Sequence, residues 1–308
     1  MDRVLSAAPA AAAVDVVQRG GGSAPPPSPL SARAVGAPGA LSLSPADFRT
    51  LAKLIHDEAG IVLGAQKQDM VLRRLSRRMH SLGLRSFREY AKRLQVDDGG
   101  EREHFRNALT TNLTAFFRES HHFDRLNALF AQRGPTRRLR VWSAACSTGE
   151  EPYSIAICAC EHYGGGTPPV QILATDVDTQ VLATARAGVY PLERLKGISE
   201  PRRRAYFDRG TGPNEGLARV REPLRRIVQW QPQNLMAADY AVEGGLDAIF
   251  LRNVLIYFDR PTQRTILARM RRLLRPDGWL FVGHSENLFH CADLFRSLGQ
   301  TVYAPLPP

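Results

Sequence analysis

Between residues 139 and 303, short β-rich runs alternate with helical ones, and this alternation limits the fold more than any other feature of the chain. LRVW (139–142), VQILATD (170–176), DAIFLRNVLIYF (247–258), WLFVGHSE (279–286) and QTVYA (300–304) read as strands, the third running on into a loop. Helices are expected from about Tyr153 to Tyr163, from Asp178 to a stop at Gly188, and over 261–274 behind Pro261. Strands separated by helices pair in parallel and are covered on both faces. The expected fold class is therefore α/β, a doubly wound, mostly parallel sheet. Such a sheet takes its ligand at the carboxyl ends of its strands, where the strand order reverses.

The rest of the chain divides around this pattern. Of residues 1–40, 26 are Ala, Pro, Gly or Ser. Such a stretch buries too little apolar surface to offset its ordering entropy, so 1–41 is expected to be a disordered tail. Residues 42–109 read as a small helical domain. Ser44-Pro45 is an N-cap followed by a first-turn proline, Phe48, Leu51, Leu54 and Ile55 follow at helical spacing, and Gly60 ends the helix. In the next helix Met70, Val71, Leu75 and Met79 point inward, while Arg73, Arg74, Arg77 and Arg78 form one stripe of four unpaired arginines. Residues 110–133 are a linker and helix, and 134–308 hold the sheet. The stretch 193–230 interrupts the alternation with an arginine-rich helical piece, the turn RGTGPNEG and two strand-like runs, LARVRE and RRIVQWQ. It reads as an inserted, hairpin-like antiparallel β-subdomain.

The net charge of +11 is not spread evenly. Segments 41–110 and 193–230 carry +4 and +5, whereas 134–192 together with 231–308 is neutral. Basic patches suit nucleic acid, an acidic protein or an anionic membrane surface, and charge alone does not choose. Four cysteines make no disulfide framework and fit a reducing, cytoplasmic setting. No apolar run is long enough for a transmembrane helix, and Pro9 and Asp15 break up the Ala-rich start, so neither membrane insertion nor a secretory signal is expected.

The loop SAACSTGEEP (143–152) follows the first strand. It lacks G-x-G-x-x-G, and no G-x-x-x-x-G-K-[ST] occurs in the chain, which excludes a P-loop nucleotidase. The pair Glu150-Glu151 suits a cationic ligand, or simply favours the following helix N-terminus; the loop alone fits either. The second strand ends in Asp176, about 25 residues after the loop, where an acid accepts hydrogen bonds from ribose hydroxyls. An acidic loop and a ribose acceptor together fit S-adenosylmethionine, a sulfonium with amino acid and adenosine parts. A nicotinamide enzyme stays open but lacks its glycines. Cys158 and Cys160 point to nearly opposite sides of a helix, so no metal site is expected there.

The runs TTNLTAFFRE (110–119), SAACSTGEEPYSIAI (143–157), LATDVDTQVLATARAGVY (173–190), AIFLRNVLIYF (248–258) and PDGWLFVGHSE (276–286) resemble the bacterial chemotaxis receptor methyltransferases. These are protein-glutamate O-methyltransferases with a Rossmann-like class I methyltransferase fold. The resemblance covers about 44–304. It implies that S-adenosylmethionine, leaving as S-adenosylhomocysteine, contacts Asn112, Thr114 and Arg118 of a linker helix folded over it. It further implies contacts with Glu151, Asp176, the Asn234-Leu235 pair by the adenine, and Arg252-Asn253. Arg118 and Tyr257 match the family's candidate catalytic residues. Cys146, where another small residue is usual, and Leu251 depart from the pattern, and neither removes a polar contact. The resemblance implies cytoplasmic chemoreceptor helices as partners, faced by the stripe Arg73, Arg74, Arg77 and Arg78. A receptor C-terminal peptide at the β-subdomain is a further partner it implies. The protein is then expected to be a cytoplasmic monomer recruited to receptor arrays, with no metal and no nucleic acid.

The chemistry itself asks little of such a site. A glutamate carboxylate, of reference pKa about 4.3, is ionised near neutrality and needs no general base. A sulfonium leaves without a general acid. Orientation alone supplies roughly 7–11 kcal/mol of such a barrier. On this reading Arg118 orients the incoming carboxylate and the Tyr257 hydroxyl helps hold it. Without the resemblance, Arg118 would read also as an ion-pair partner of a neighbouring acid, and Tyr257 would read slightly better as a core aromatic; the resemblance reverses that. Two rivals predict different residues. A nucleic-acid base methyltransferase typically carries an Asn/Asp-Pro-Pro-aromatic tetrad where this chain reads Arg252-Asn253-Val254-Leu255. A receptor-binding protein that has lost catalysis would have eroded Asn112, Arg118, Glu151, Asp176 or Tyr257, and all are present.

Overall fold

A computed structural model describes residues 41–96, 100–164 and 167–307; the expected disordered tail, residues 1–40, lies outside them. Helices α1 (Pro45–Ala59), α2 (Gln68–Ser81), α3 (Phe87–Val96) and α4 (Gly100–Leu109) form the N-terminal unit. Ser44 caps α1 by accepting from the Asp47 N–H at 3.1 Å, and Gly60 closes it at φ 71°. An added Cβ at Gly60 would lie 2.5 Å from Met236 Sδ and 2.9 Å from the Phe258 ring. Glycine is therefore required twice there, for the left-handed turn and for the close approach of α1 to the sheet unit. Phe48, Leu51, Ile55, Val71, Leu75, Met79, Phe87 and Phe105 share one buried core. Each such side chain contributes roughly 1.5–3 kcal/mol by leaving water.

The arginine stripe on α2 is split. Arg78 pairs with the buried Glu101 of α4 at 2.7 Å, and Glu101 also accepts from Tyr90 Oη at 2.9 Å. Arg74, half-buried, donates to the carbonyls of Thr110 at 2.6 Å and Ala108 at 3.4 Å, tying α2 to the start of the linker. Arg73 and Arg77 are exposed. The expectation of four unpaired arginines thus fails for Arg74 and Arg78. Helical spacing shows which residues share a face, but not what a helix some 25 residues away places against it.

Helix α5 (His121–Arg133) leads into the sheet unit, where β1 (Leu139–Ala144), α6 (Glu150–His162), β2 (Val170–Asp176) and α7 (Thr179–Ala187) come first. After them come β3 (Val189–Pro191), α8 (Glu200–Tyr206), β4 (Phe207–Arg209), β5 (Leu217–Val220), α9 (Glu222–Arg226) and β6 (Val228–Pro232). The chain ends in β7 (Leu246–Leu251), α10 (Arg260–Leu273), β8 (Leu274–Val282), β9 (Phe295–Ser297) and β10 (Val302–Pro305). The large sheet has the order β6-β2-β1-β7-β8-β10-β9. β6, β2, β1, β7 and β8 run parallel, and β10 is antiparallel to both β8 and β9. The fold class is the doubly wound α/β sheet. Two apolar clusters cover its faces, one around Ile157, Phe250 and Phe281 and the other around Trp142, Leu251 and Leu267. From β1 the chain fills one side through β2 and β6, then crosses to β7, so the strand order reverses between β1 and β7.

Three details differ from the sequence pattern. The antiparallel subdomain is a three-stranded sheet, β3-β5-β4, whereas RRIVQWQ supplies β6, the edge strand of the large sheet beside β2. An isolated β-rich run does not encode which sheet it joins. Strand β8 starts at Leu274, five residues before the expected strand at Trp279, and shifts register against β7 between Leu246 and Ala248. The Asn112–Arg118 stretch is not helical, and α5 begins only at His121.

Candidate active site

At the reversal point the strand ends and the linker enclose an open cleft of about 970 Å³, mouth included. All ten cleft residues expected from the sequence line it: Asn112, Thr114, Arg118, Glu151, Asp176, Asn234, Leu235, Arg252, Asn253 and Tyr257. The N-terminal unit contributes wall as well, through Ala59, Ile61 and Leu109.

The loop after β1 is wound tightly, with Ala145, Ser147 and Gly149 all at positive φ. At Gly149 an added Cβ would fall 2.8 Å from Ala185 Cβ and 2.9 Å from Tyr190 Oη, so only glycine fits. This winding turns the Ser147 N–H toward Asp176, whose Oδ2 accepts at 2.8 Å, while Oδ1 accepts from the Asp178 N–H at 2.9 Å. Burial pushes the Asp176 carboxyl up to about 6, partly offset by those N–H donors. Each oxygen keeps lone-pair capacity for a ligand hydroxyl. The two loop glutamates separate. Glu151 lines the cleft, whereas Glu150 is buried beside Thr148 and Arg194 and does not.

Glu151 is held from both sides, accepting from Ser143 Oγ at 2.7 Å and from Arg252 Nη1 at 2.9 Å. Arg252, only 2% exposed, also pairs with Glu119 at 3.2 Å and donates to the Arg118 carbonyl. It therefore acts as a buried counter-ion within the cleft wall. Asn253 sits at φ 57° and gives its N–H to Glu286 at 2.9 Å and its side-chain amide to Glu119 at 3.2 Å. Arg118 Nη1 turns back to the Leu113 carbonyl at 2.8 Å, closing the linker into a loop at the cleft. The Tyr257 carbonyl accepts from the Val62 N–H at 2.8 Å, so the turn carrying this tyrosine is anchored to the segment after α1.

The linker and the Asn234 turn also join the two units. Asn112 and Thr110 both donate to Asp178 Oδ2, at 2.9 and 2.8 Å, and Asp178 Oδ1 caps α7. Asn234 donates to the Glu58 carbonyl at 2.7 Å and accepts from the Met236 N–H at 2.9 Å. Its side chain thus bridges the units, and Asn234 and Leu235 both line the cleft.

The sequence pattern marks Asp178 only as a helix start and points to neither Glu119 nor Glu286; all three hold the lining residues without lining the cleft themselves. The signals were the DxD spacing of Asp176 and Asp178, the acid next to Arg118, and the acid two positions after His284. Glu119, His121 and His122 bring potential metal-ligand atoms within 4.8 Å of one another. Arg252, Asn253 and His284 already engage the Glu119 carboxylate, and a second cation beside Arg252 is disfavoured. The four cysteines are free and buried.

A cleft at the reversal point of this sheet, with an acid ending β2 and no phosphate-binding glycine loop, defines an S-adenosylmethionine-binding methyltransferase class. The residues present fit that cofactor: Asp176 retains acceptor capacity, and Glu151 places a second accepting carboxylate in the same cleft. Comparison with known proteins agrees. Residues 112–304 match the family model described as "CheR methyltransferase, SAM binding domain", and 46–110 match "CheR methyltransferase, all-alpha domain". Chemotaxis protein methyltransferase 2 of Pseudomonas aeruginosa is 54% identical over 260 residues, covering 84% of this chain and 92% of the relative. The chemotaxis protein methyltransferases of Escherichia coli and Salmonella typhimurium are 52% and 50% identical, each covering 86% of this chain and 92% and 91% of the relatives. The chain belongs to the CheR methyltransferase family. It is an S-adenosylmethionine-dependent methyltransferase of chemotaxis, and a nucleic-acid substrate is not favoured. Among the described residues no helix is long and apolar enough to cross a membrane.

Proposed function

We propose that the chain esterifies glutamate side chains on the cytoplasmic helices of chemoreceptors, working as a cytoplasmic monomer recruited to receptor arrays. The observation that carries the reading is the meeting of Arg118 and Tyr257 in one cleft with Glu151 and Asp176. The two acids suit a cationic, ribose-bearing cofactor, and the arginine and tyrosine suit an incoming carboxylate. Bound there, the cofactor supplies an electrophilic methyl group on a sulfonium. Asp176 accepts from ribose hydroxyls, and Glu151, backed by Arg252, holds the amino end. Asn112, Thr114, Asn253 and the Asn234-Leu235 turn complete the walls. Arg118 orients the acceptor carboxylate, Tyr257 steadies it, and neither transfers a proton, because the acceptor is already ionised at neutral pH.

The domain roles follow from the same reading. The unit 42–109 meets the receptor, the linker 110–133 closes over the cofactor, and 134–308 holds it. Arg73 and Arg77 carry the acidic-partner contact on α2, because Arg74 and Arg78 already have partners inside the molecule. Strand β4 is one edge of the small sheet, and we assign the receptor's C-terminal peptide to that subdomain, where tethering raises effective concentration near the methylated sites. Steady-state assays of Arg118→Ala and Tyr257→Phe with receptor-containing membranes test the site. Turnover is expected to fall at least tenfold in the first and several-fold in the second, with cofactor affinity largely kept in Tyr257→Phe. Near-normal turnover in both would sink the assigned roles.

A further inference from the structure

Arg118 lies between two residues in the left-handed backbone region, Phe117 at φ 54° and Glu119 at φ 56°. Neither is a residue type that adopts this conformation readily, so each costs free energy that surrounding contacts must offset. Such outliers persist only where the structure over-determines them, and they cluster where positioning matters. The contacts are present. The Phe117 N–H donates to Ser154 Oγ at 2.9 Å, its ring packs edge-on against Phe123, and Arg202 lies 4.3 Å over it. The Glu119 carboxylate gathers donors from two strand ends. Arg252 Nη2 and Asn253 Nδ2 reach it from the turn after β7, each at 3.2 Å. The backbone N–H and Nδ1 of His284 reach it from the turn after β8, at 3.2 and 3.0 Å. Burial pushes the Glu119 carboxyl up, but His284, Arg252 and Asn253 outweigh it and bring it down to about 2. It therefore stays charged through the physiological range.

We propose that Glu119 is the positioning residue of the methyl-transfer site. Its carboxylate clamps the Arg118 backbone to the Arg252-Asn253 turn and to His284, fixing where Arg118 presents its guanidinium. Glu119 does not itself line the cleft, so it acts through Arg118 and Arg252. Arg252 extends the clamp, donating to the Arg118 carbonyl with one nitrogen and to Glu151 with the other. The inference rests on the reading of Arg118 as the residue that orients the acceptor.

Glu119→Gln tests it, because the amide keeps the shape but loses the charge and half of the acceptor capacity. Turnover with receptor-containing membranes is expected to fall roughly 10–100-fold, since a misplacement of about 1 Å can cost that much. Cofactor affinity, measured by calorimetry, is expected to stay within about threefold, because Asp176 and its loop are untouched; a purely structural role would lower both. His284→Ala removes one donor from the exposed side of the clamp. It is expected to cost about threefold in turnover in the natural background and nothing on top of Glu119→Gln. Equal losses in both backgrounds, or no loss from His284→Ala alone, overturn the clamp. Arg118→Ala, assayed in parallel, separates the failures. Normal turnover in both Arg118→Ala and Glu119→Gln overturns the reading of Arg118 and the clamp with it. Lost turnover in Arg118→Ala beside normal turnover in Glu119→Gln overturns the clamp alone.

Discussion

Arg252 in the cleft wall and Arg73 on α2 are the same side chain in opposite surroundings. Arg252 is 2% exposed, pairs with Glu119 and Glu151, and caps the Arg118 carbonyl. Arg73, like Arg77 one turn later, stands in solvent. Breaking a buried pair strands an uncompensated charge, whereas trimming a solvated one changes little in the free protein. The basic residues of α2 are thus of two kinds. Arg74 and Arg78 hold the helical unit and linker together, while Arg73 and Arg77 stand exposed, the pair proposed above to meet an acidic partner.

That contrast can be broken by mutation. The largest effect is expected for Arg252→Ala, which leaves Glu119 and Glu151 facing each other without a counter-ion. A loss of about 3–5 kcal/mol is expected in denaturant unfolding. A loss under about 1 kcal/mol would mean that water or a rearranged neighbour replaces the guanidinium. Next is Arg78→Ala, which removes the cation beside the buried Glu101 and is expected to cost about 2–3 kcal/mol, read as an earlier unfolding midpoint. Receptor methylation should then fall only as the folded fraction falls.

A pH titration separates the buried acids from the surface. Asp176 is raised to about 6, so it takes up its proton just below neutrality, and an un-ionised carboxyl is a poorer acceptor for ribose hydroxyls. Cofactor affinity is therefore expected to be flat above pH 7 and to weaken about tenfold per unit below pH 6. Asp176→Asn should bind weakly at every pH. Retention of the same pH slope in that variant would place the titrating group elsewhere. The smallest effect on the free protein is expected for Arg73→Ala with Arg77→Ala. Unfolding should move by no more than about 0.5 kcal/mol, while receptor methylation drops several-fold and loses salt sensitivity. Unchanged methylation in that double variant would remove α2 from the receptor contact.

Much of this was legible in the sequence because it is local. Ser44-Pro45, Gly60 and the pair Asp178 and Gly188 mark helix ends through hydrogen bonds a few residues long, and the structure shows caps at those positions. Asp176 and the Glu150-Glu151 loop were readable because strand ends in a doubly wound sheet converge whatever the distance between them in the chain; the other eight cleft residues, Asn112, Thr114 and Arg118 of the linker among them, were readable only through the family resemblance. What stayed hidden depends on pairing between distant segments. Nothing in RRIVQWQ specifies β2 as its neighbour, and nothing in Arg78 specifies Glu101. The left-handed turn at Phe117 and Glu119 was invisible for the same reason. Its residues are poor turn formers, and the donors that hold it arrive from Arg252, Asn253 and His284, more than 130 positions away.

The most direct test of the central claim is the chemical stability of the transferred methyl group. The protein is incubated with methyl-labelled S-adenosylmethionine and chemoreceptor membranes, and the label is followed through mild base. Volatile methanol released from receptor peptides that map to glutamate is the predicted result. A base-stable label, or label on nucleic acid, would contradict it.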